Sequence, residues 1–335
     1  MTESPYNSVS DKRLADLCRW MQSKGFPTDG IHSASSDAGF RRYFRVLHNN
    51  GSIIAVDAPP EQEDTKSFVD IAGRLRDSTL RVPDIYCYSL EKGFMVQEDL
   101  GNCPMQDIAG KSKLIDSQTT ALYEKAINTI AVMQQSTFTT GLPRYDYAFL
   151  RMELDLFTEW YVGRHLHQAL SKVQVNLLQD ALEHIISVVL QQPVAFVHRD
   201  FHCRNLMVVP ATGELATIDF QGAVCGPVTY DAVSLLKDVY IELPTEFQQH
   251  CMEQHRQSLD PVPDTESYSR WYDYTGLQRH LKILGIFCRL HYRDGKSQYL
   301  DNLPIVKTHI EKVLQTYPGL QGLYEVFTHL HSDHS

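Results

Sequence analysis

The nine residues "VHRDFHCRN", from Val197 to Asn205, constrain the fold of this chain more than any other stretch. They place Asp200 and Asn205 in one short loop, because apolar strand-like runs lie on both sides, "AFV" before it and "LMVV" after it. The chain then reads "LATIDF", which brings Asp219 to the end of another strand, 14 residues beyond Asn205. The pattern predicts a loop that carries Asp200 and Asn205 beside a β-hairpin that carries Asp219.

Two carboxylates and an amide in this arrangement suit phosphoryl transfer to a hydroxyl group. Asp200 is the candidate catalytic base, which orients and deprotonates the acceptor. Asn205 and Asp219 are the candidate Mg²⁺ ligands, because Mg²⁺ prefers hard oxygen ligands and holds the phosphates of ATP. The expected cofactors are therefore ATP and Mg²⁺.

The same nine residues allow other interpretations. Cys203 could be a nucleophile activated by His202, although adjacent loop residues rarely face each other productively and the sequence shows no oxyanion hole. His198, Asp200, His202 and Cys203 could also bind a metal, but their spacing differs from the familiar zinc patterns. Either histidine could instead be a buried structural residue.

Composition and charge limit the possible partners. A chain of 335 residues with 43% hydrophobic residues can form two lobes with cores. Its net charge of -10 argues against nucleic acid and anionic membranes as partners, since both require a basic surface. The sequence shows no signal peptide and no apolar run long enough to span a membrane. Seven cysteines without a C-x-x-C pair indicate a reducing compartment. We expect a cytoplasmic monomer that acts on a small molecule.

Two regions with different periodicity divide the chain. The first contains a predicted helix from Asp11 to Lys24 capped by Ser10, and then two strands joined by the Asn50-Gly51 turn. A helix from about Asp64 and two more strands follow, before the pattern becomes mainly helical. We therefore predict an α+β fold, with residues 1–100 as a nucleotide-binding lobe and residues 101–335 as a catalytic and substrate lobe.

Beyond this pattern, the chain resembles a known enzyme superfamily. H-x-D-x-x-x-x-N and the later D-F-x resemble the signature motifs of kinases. Gln221 in place of glycine, and the segment "GPVTYDAVSLL", are more similar to the aminoglycoside phosphotransferase and choline kinase branch. The segments "SDAGFRRYFRV", "DAPPE", "ELDLFTEWYV" and "QRHLKILGIFCRLHYRDGKSQYL" resemble the anomeric sugar kinases of bacterial cell-wall recycling, and this likeness spans most of the chain.

The resemblance implies a two-lobed, protein-kinase-like fold of the aminoglycoside phosphotransferase type. ATP is then expected between the lobes, with its adenine near backbone groups that follow Gln97, from Glu98 to Leu100. His198 and Asp231 are expected to brace the catalytic loop rather than to bind ligands.

The resemblance also implies an acceptor, the hydroxyl group on carbon 1 of N-acetylmuramic acid or N-acetylglucosamine. The first of these sugars carries a carboxylate, which requires a cation in the pocket. Arg204, Arg289 and Arg293 are the candidates for this cation, although each could also be an ordinary surface arginine.

The chain departs from the kinase pattern at two places. It has no G-x-G-x-x-G motif, but "SASSDAGF", which contains Ser36, offers hydroxyl and backbone N–H groups that could cover phosphates. The strand "SIIAVDA" also lacks the lysine that pairs with the α- and β-phosphates in kinases. Arg42 is our preferred replacement for this lysine, with Arg41 and Arg45 as alternatives on the other strand face.

The sequence also allows two other functions. The chain could be another small-molecule kinase of the same branch, acting on an aminoglycoside or choline. Aminoglycosides are polycations, for which Glu153, Asp155 and Glu159 could form an acidic pocket, although a solvated helix face is the more ordinary expectation for these acids. The chain could also be a nucleotide-binding regulatory module that has lost its transferase activity.

Overall fold

The computed structural model describes residues 11–34, 40–48, 51–110 and 115–332. Two compact units divide the chain. The first comprises Met1–Cys103 and Met207–Gln221, and the second comprises Pro104–Leu206 and Gly222–Ser335. The first unit therefore includes Met207–Gln221, a stretch that lies within the predicted catalytic and substrate lobe of residues 101–335.

An antiparallel five-stranded sheet in the order β1-β2-β3-β5-β4 forms the centre of the first unit. Two helices accompany the sheet, and a separate two-stranded sheet pairs β7 with β8. These elements are α1 Lys12–Ser23, β1 His32–Ser33, β2 Arg42–His48, β3 Gly51–Asp57, α2 Thr65–Asp77, β4 Ile85–Ser89, β5 Phe94–Glu98, β7 Leu206–Val208 and β8 Leu215–Thr217.

Helices dominate the second unit, together with a two-stranded sheet of β6 and β9. Its elements are α3 Met105–Ala109, α4 Ser117–Ser136, α5 Tyr147–Leu156, a π-helix Phe157–His165, α6 Lys172–Val189, β6 Val194–Val197, β9 Val224–Pro227, α7 Tyr230–Leu236, α8 Thr245–Ser258, α9 Thr265–Asp294, α10 Leu303–Thr316 and α11 Gln321–Ser332, with short 3-10 helices at Ser297–Asn302 and Pro318–Leu320. The α+β class is confirmed.

The predicted hairpin is present, with a different turn. β2 and β3 pair antiparallel, and His48 lies opposite Gly51. Gly51 is therefore a strand residue, and the two residues that connect the strands, 49 and 50, lie outside the described residues. Helix α1 also begins differently from the prediction, because the Asp11 side chain, rather than Ser10, caps it by accepting a 3.0 Å hydrogen bond from the Leu14 N–H.

The core of the first unit explains how its sheet is held. Leu17, Trp20 and Met21 of α1 pack on Phe44 and Val46 of β2 in one buried cluster. Alternation along β2 places these two side chains on the α1 face and leaves the residues between them for the other face. The two faces of β2 therefore meet different surroundings.

Helix α9 forms the spine of the second unit. It runs for 30 residues and contributes to the large apolar core together with α5, α6 and α10. Gly285 of α9 lies against the backbone of Leu156 and Phe157, where α5 ends and the π-helix begins. This close approach depends on the missing side chain, because a Cβ atom at Gly285 would lie 2.3 Å from the Leu156 carbonyl carbon. None of the helices in the described part of the chain is long and apolar enough to cross a membrane.

Candidate active site

The buried carboxylate of Asp231 holds the start of the loop that carries Asp200. Its Oδ2 accepts a 2.8 Å hydrogen bond from the His198 N–H, and its Oδ1 accepts a 3.0 Å hydrogen bond from the Arg199 N–H. Burial raises the pKa of Asp231 to about 7, against the lowering effect of these two bonds. Both amides that precede Asp200 are therefore fixed by a residue from α7.

Arg199 adopts an unusual backbone conformation immediately before Asp200. Its φ angle is +75°, in the left-handed region that few residues other than glycine occupy. Its side chain donates a 2.6 Å hydrogen bond to Glu153 Oε1 and lies 4.8 Å from the Phe149 ring centroid. Strained backbone of this kind is typical of functional sites, where surrounding contacts maintain it.

Glu153 is the centre of a buried charged cluster. Besides Arg199, it accepts a 3.0 Å hydrogen bond from Gln278 Nε2 and one from the Tyr145 hydroxyl group, and Lys282 Nζ lies 3.5 Å from its Oε1. Burial raises the pKa of Glu153, but the positive charges of Lys282 and Arg199 bring it below its ordinary value. The carboxylate is therefore ionised and matched by two cations.

The solvated-face expectation for the acidic residues of this segment is wrong for Glu153. Asp155 and Glu159 are exposed, whereas Glu153 is buried. The sequence contained a signal for this difference. Glu153 follows Leu150 by three residues and precedes Phe157 by four, so it shares their apolar helix face.

Asp200 itself lies beside these charges at the surface, where the surrounding protein still removes part of its hydration. Loss of hydration raises the pKa of Asp200, but neighbouring positive charges, chiefly that of Lys282, bring it below its ordinary value. Asp200 is therefore a carboxylate at neutral pH and can accept a proton. Its backbone oxygen accepts a 3.0 Å hydrogen bond from Asn205 Nδ2, which closes the loop.

Asp219 belongs to the first compact unit, where it follows β8. Its φ angle is +63°, and its Oδ1 accepts a 2.7 Å hydrogen bond from Gln221 Nε2. Asp219 and Arg199 are two of the four non-glycine residues with positive φ in the described chain, so unusual backbone occurs within both sequence motifs.

The two predicted metal ligands, Asn205 and Asp219, belong to different compact units. Asn205 uses its Nδ2 within the loop, so its amide oxygen is the atom that a metal would contact. Each residue offers an oxygen atom, the kind of ligand that Mg²⁺ prefers. Within the described residues, no three His, Cys, Asp or Glu side chains form a metal cluster, which argues against the alternative built on His198, His202 and Cys203.

Cys203 is also unsuited to nucleophilic catalysis. Its thiol is buried and donates a 2.9 Å hydrogen bond to Asp238 Oδ2. Burial and the negative charge of Asp238 raise the pKa of Cys203 far above its ordinary value. The side chain is therefore a neutral thiol with a structural contact.

Three of the predicted nucleotide-binding residues, Gln97, Glu98 and Leu100, lie near the end of β5. Leu100 packs with Met207, Val209 and Ala216 in a small apolar cluster of the first unit. Glu98 is ion-paired with Arg81, and this partner lowers the pKa of Glu98. The remaining two differ, since Gln97 is buried at the end of β5 and Ser36 lies outside the described residues.

Arg41 before β2 and Arg42 and Arg45 within it have different surroundings. Arg42 bonds to Asp57 and Asp11, with 2.5 Å between its Nη2 and Asp57 Oδ2. Arg45 bonds to Asp99, with 2.8 Å between its Nη2 and Oδ1. Arg41, in contrast, is buried and only 7% exposed.

The three predicted substrate-binding arginines also differ in their exposure and in their partners. Arg204 is exposed, donates a 2.8 Å hydrogen bond to Gln106 and lies 3.4 Å from the Tyr240 ring centroid. Arg293 is exposed and ion-paired with Asp294. Arg289 is half-buried, and its Nε has no hydrogen-bond partner among the described residues.

Taken together, the fold and these motifs define a phosphotransferase. The loop between β6 and β7 carries Asp200 and Asn205, and Asp219 follows β8, as the kinase motifs predict. A model of the phosphotransferase enzyme family matches residues 30–268. The chain belongs to this family, and it is an enzyme that transfers a phosphoryl group.

Curated relatives narrow the class further. The chain is 38% identical over 337 residues to the N-acetylmuramate/N-acetylglucosamine kinase of Pseudomonas aeruginosa, with 96% of this chain and 97% of that protein aligned. It is 35% identical over 329 residues to the enzyme of the same name from Neisseria meningitidis, with 96% and 97% aligned.

Solved structures show the same fold at much lower identity. Choline kinase LicA from Streptococcus pneumoniae matches with a TM-score of 0.63 and 12% identity, over 90% of this chain and 99% of that chain. The ADP-bound aminoglycoside phosphotransferase APH(2'')-Ib matches with a TM-score of 0.60 and 14% identity, over 93% and 99%. The predicted fold type is confirmed.

Proposed function

We propose that this enzyme transfers the γ-phosphoryl group of ATP to the anomeric hydroxyl group of N-acetylmuramic acid, N-acetylglucosamine, or both, and that it forms the sugar 1-phosphate for cell-wall recycling. The observation that carries this proposal is the ionised Asp200 in a loop anchored by Asp231. The names of relatives that align over 96% of the chain support the choice of sugar.

Asp200 is the proposed catalytic base. Its carboxylate accepts the proton of the acceptor hydroxyl as the sugar oxygen bonds to the γ-phosphorus and the bond to the ADP oxygen breaks. The anomeric hydroxyl belongs to a hemiacetal and is more acidic than an ordinary sugar alcohol. A base that mainly orients this hydroxyl is therefore sufficient, and positioning supplies a large part of the catalysis.

Asn205 and Asp219 are the proposed ligands of Mg²⁺, which would neutralise charge on the phosphates of ATP. His198 and Asp231 support the loop without touching the reactants. Backbone groups from Glu98 to Leu100 are proposed to meet the adenine, because the small apolar cluster around Leu100 offers a surface for a flat ring.

Arg289 is the preferred partner for the lactyl carboxylate of N-acetylmuramic acid. Burial lowers the pKa of Arg289 and the positive charge of Arg293 lowers it further, whereas Asp294 and Glu159 act in the opposite direction. Arg204 and Arg293 already have partners at exposed positions. A carboxylate from the substrate would give Arg289 Nε the charge-assisted bond that the described residues do not provide.

A polycationic acceptor has less support. Glu153 was the buried member of the acidic set that such an acceptor would need, and its charge is already matched by Arg199 and Lys282. The net charge of -10 supports a function without nucleic acid or membrane partners. We further propose a cytoplasmic monomer, which size-exclusion chromatography with light scattering would test.

The test of the proposed reaction compares N-acetylglucosamine with its borohydride-reduced alditol. The alditol lacks the hemiacetal but keeps the other hydroxyl groups. We expect ATP-dependent phosphorylation of the intact sugar alone, with a phosphorus NMR signal coupled to H1. Phosphorylation of the alditol, or a product at carbon 6, would contradict anomeric transfer. The absence of transfer to both N-acetylglucosamine and N-acetylmuramic acid would contradict the proposed acceptors.

A further inference from the structure

The nucleotide side of this enzyme lacks a lysine where kinases carry one. No lysine occurs between Lys24 and Lys66, a range that includes all of β3. In kinases this lysine contacts the α- and β-phosphates of ATP, and a glutamate holds it in place. Another cation is needed at the phosphates if the proposed reaction is correct.

Arg42 and Arg45 are poorly placed for this role because each is already neutralised. Arg42 bonds to Asp57 and Asp11 on the α1 face of the sheet. Arg45 bonds to Asp99 through two nitrogen atoms. A phosphate would have to compete with these carboxylates for the same N–H groups.

Arg41 differs from both because its guanidinium is buried without hydrogen bonds. Its Nε, Nη1 and Nη2 atoms have no hydrogen-bond partner within the described part of the chain. Its ion-pair partner is Glu63, whose Oε2 lies 3.2 Å from Nη2 without hydrogen-bond geometry. A buried guanidinium with unused donors is costly, and an anionic ligand with several acceptor oxygens would satisfy it.

The ring of Phe68 lies between Arg41 and Phe220, the residue that follows Asp219. The Arg41 Cζ lies 5.1 Å from the Phe68 ring centroid, and the Phe68 ring lies 4.7 Å from the Phe220 ring. Phe220 directly follows Asp219 in the chain. All of these residues belong to the first compact unit.

We propose that Arg41 binds the α- and β-phosphates of ATP in place of the strand lysine, and that Glu63 is its positioning residue. The planar guanidinium can donate two parallel hydrogen bonds to phosphate oxygens, which an ammonium group cannot do. This role rests on the ATP-dependent reaction proposed above and adds the residue that recognises the phosphates.

The test compares the affinities for ADP and adenosine, measured by calorimetry in the presence of MgCl₂ and without sugar. The ratio of the two affinities isolates the contribution of the phosphates. In Arg41→Met we expect ADP affinity to fall about 10- to 100-fold while adenosine affinity stays unchanged. Arg41→Lys should restore part of the ADP affinity, and it provides a second variant if Arg41→Met does not fold.

The matched control is Arg42→Met, at the neighbouring position. It should lower thermal stability, because Asp57 loses a partner, and it should leave the ratio of ADP to adenosine affinity unchanged. An unchanged ratio in Arg41→Met, or a lowered ratio in Arg42→Met alone, would overturn the assignment. A wrong sugar acceptor would not affect these measurements, whereas a wild-type chain that binds no ADP would contradict both proposals.

Discussion

At the scale of single residues, Asp200 depends on charges that come from distant parts of the chain. Lys282 lies on α9 and Glu153 on α5, yet both belong to one cluster with Arg199, the neighbour of Asp200. The two cations face the ionised Glu153 and keep Asp200 ionised as well. The motif "HRD" therefore identifies Asp200 as the candidate base, but residues far away in the sequence set the protonation state of its carboxylate.

Replacement of Asp200 tests its role as base. We expect Asp200→Asn to lower sugar-dependent ADP release by about 10²- to 10⁴-fold, because the amide cannot accept the proton. ADP affinity with Mg²⁺ should change little, since Asp200 acts on the acceptor. Steady-state kinetics and calorimetry provide the two measurements, and near-normal turnover would remove Asp200 from this role.

Asp219→Ala, unlike Asp200→Asn, should affect the binding of metal and nucleotide. Loss of the proposed metal ligand should weaken binding of Mg²⁺ with ADP and should raise the Mg²⁺ concentration needed for half-maximal rate. Titration of Mg²⁺ at fixed ADP measures this effect. Unchanged metal dependence would show that another residue binds the metal.

The buried charges also determine stability. Glu153→Gln leaves Arg199 and Lys282 close together without their shared counter-charge, so we expect a loss of about 3 to 5 kcal/mol in the free energy of unfolding. Glu153→Gln combined with Lys282→Met should be less destabilised than Glu153→Gln alone, because one unpaired cation is removed. Chemical denaturation of the wild type, of Glu153→Gln, of Lys282→Met and of the double variant measures this coupling, and simple additivity of the two single losses would contradict it.

At the scale of elements, the helices and strands that have a regular spacing of apolar residues were predictable from the sequence. The β2–β3 hairpin, helix α2 and strands β4 and β5 follow from alternation and helical spacing in the sequence. The cap of α1 was misassigned because Ser10 and Asp11 are both good capping residues, and only the structure shows which side chain reaches the Leu14 N–H.

The candidate site was predictable only in part. Asp200, Asn205 and Asp219 could be selected because their spacing is local. The choice among Arg41, Arg42 and Arg45 depends on which carboxylates approach each strand face, and those carboxylates come from α1, β3 and the segments that follow β3 and β5. Likewise, the close contact of Gly285 with the backbone at the start of the π-helix joins segments that are far apart in the sequence.

The junction of α5 and the π-helix should be sensitive to Gly285. In Gly285→Ala, the new methyl group would meet the backbone of Leu156 and Phe157, so we expect a loss of about 1 to 3 kcal/mol. Gly73→Ala in α2 is the matched control, because its new methyl group would have no atom within 4 Å other than those of its chain neighbours and of the nearby backbone of its own helix. This control should gain up to about 1 kcal/mol from helix propensity, and thermal denaturation would detect both shifts.

At the scale of the whole molecule, buried histidines link stability to pH. His255 bonds to the Tyr268 hydroxyl group and to Gln134, and burial lowers its pKa from 6.5 to about 4. Above pH 6.5 the imidazole is neutral in both the folded and the unfolded chain. Between pH 6.5 and 4 the unfolded chain binds a proton that the folded chain does not, so acid favours unfolding.

Replacement of this histidine should remove its share of the acid sensitivity. We expect His255→Gln, relative to the wild-type protein, to become more stable as the pH falls from 6.5 to 4, by up to about 3 kcal/mol. Urea unfolding at several pH values gives the difference between the two proteins. A constant difference across this range would show that His255 is not neutral in the folded chain.

The return of Met207–Gln221 to the first compact unit affects how the protein forms on the ribosome. Leu100 is made early, but its partners Met207, Val209 and Ala216 emerge only after all of Pro104–Leu206 has been synthesised. The apolar surface around Leu100 therefore stays exposed in the nascent chain while Pro104–Leu206 is translated. A gene fragment that ends at Cys103 would encode a chain without these partners of Leu100. The first unit therefore cannot be produced as one continuous fragment of the gene.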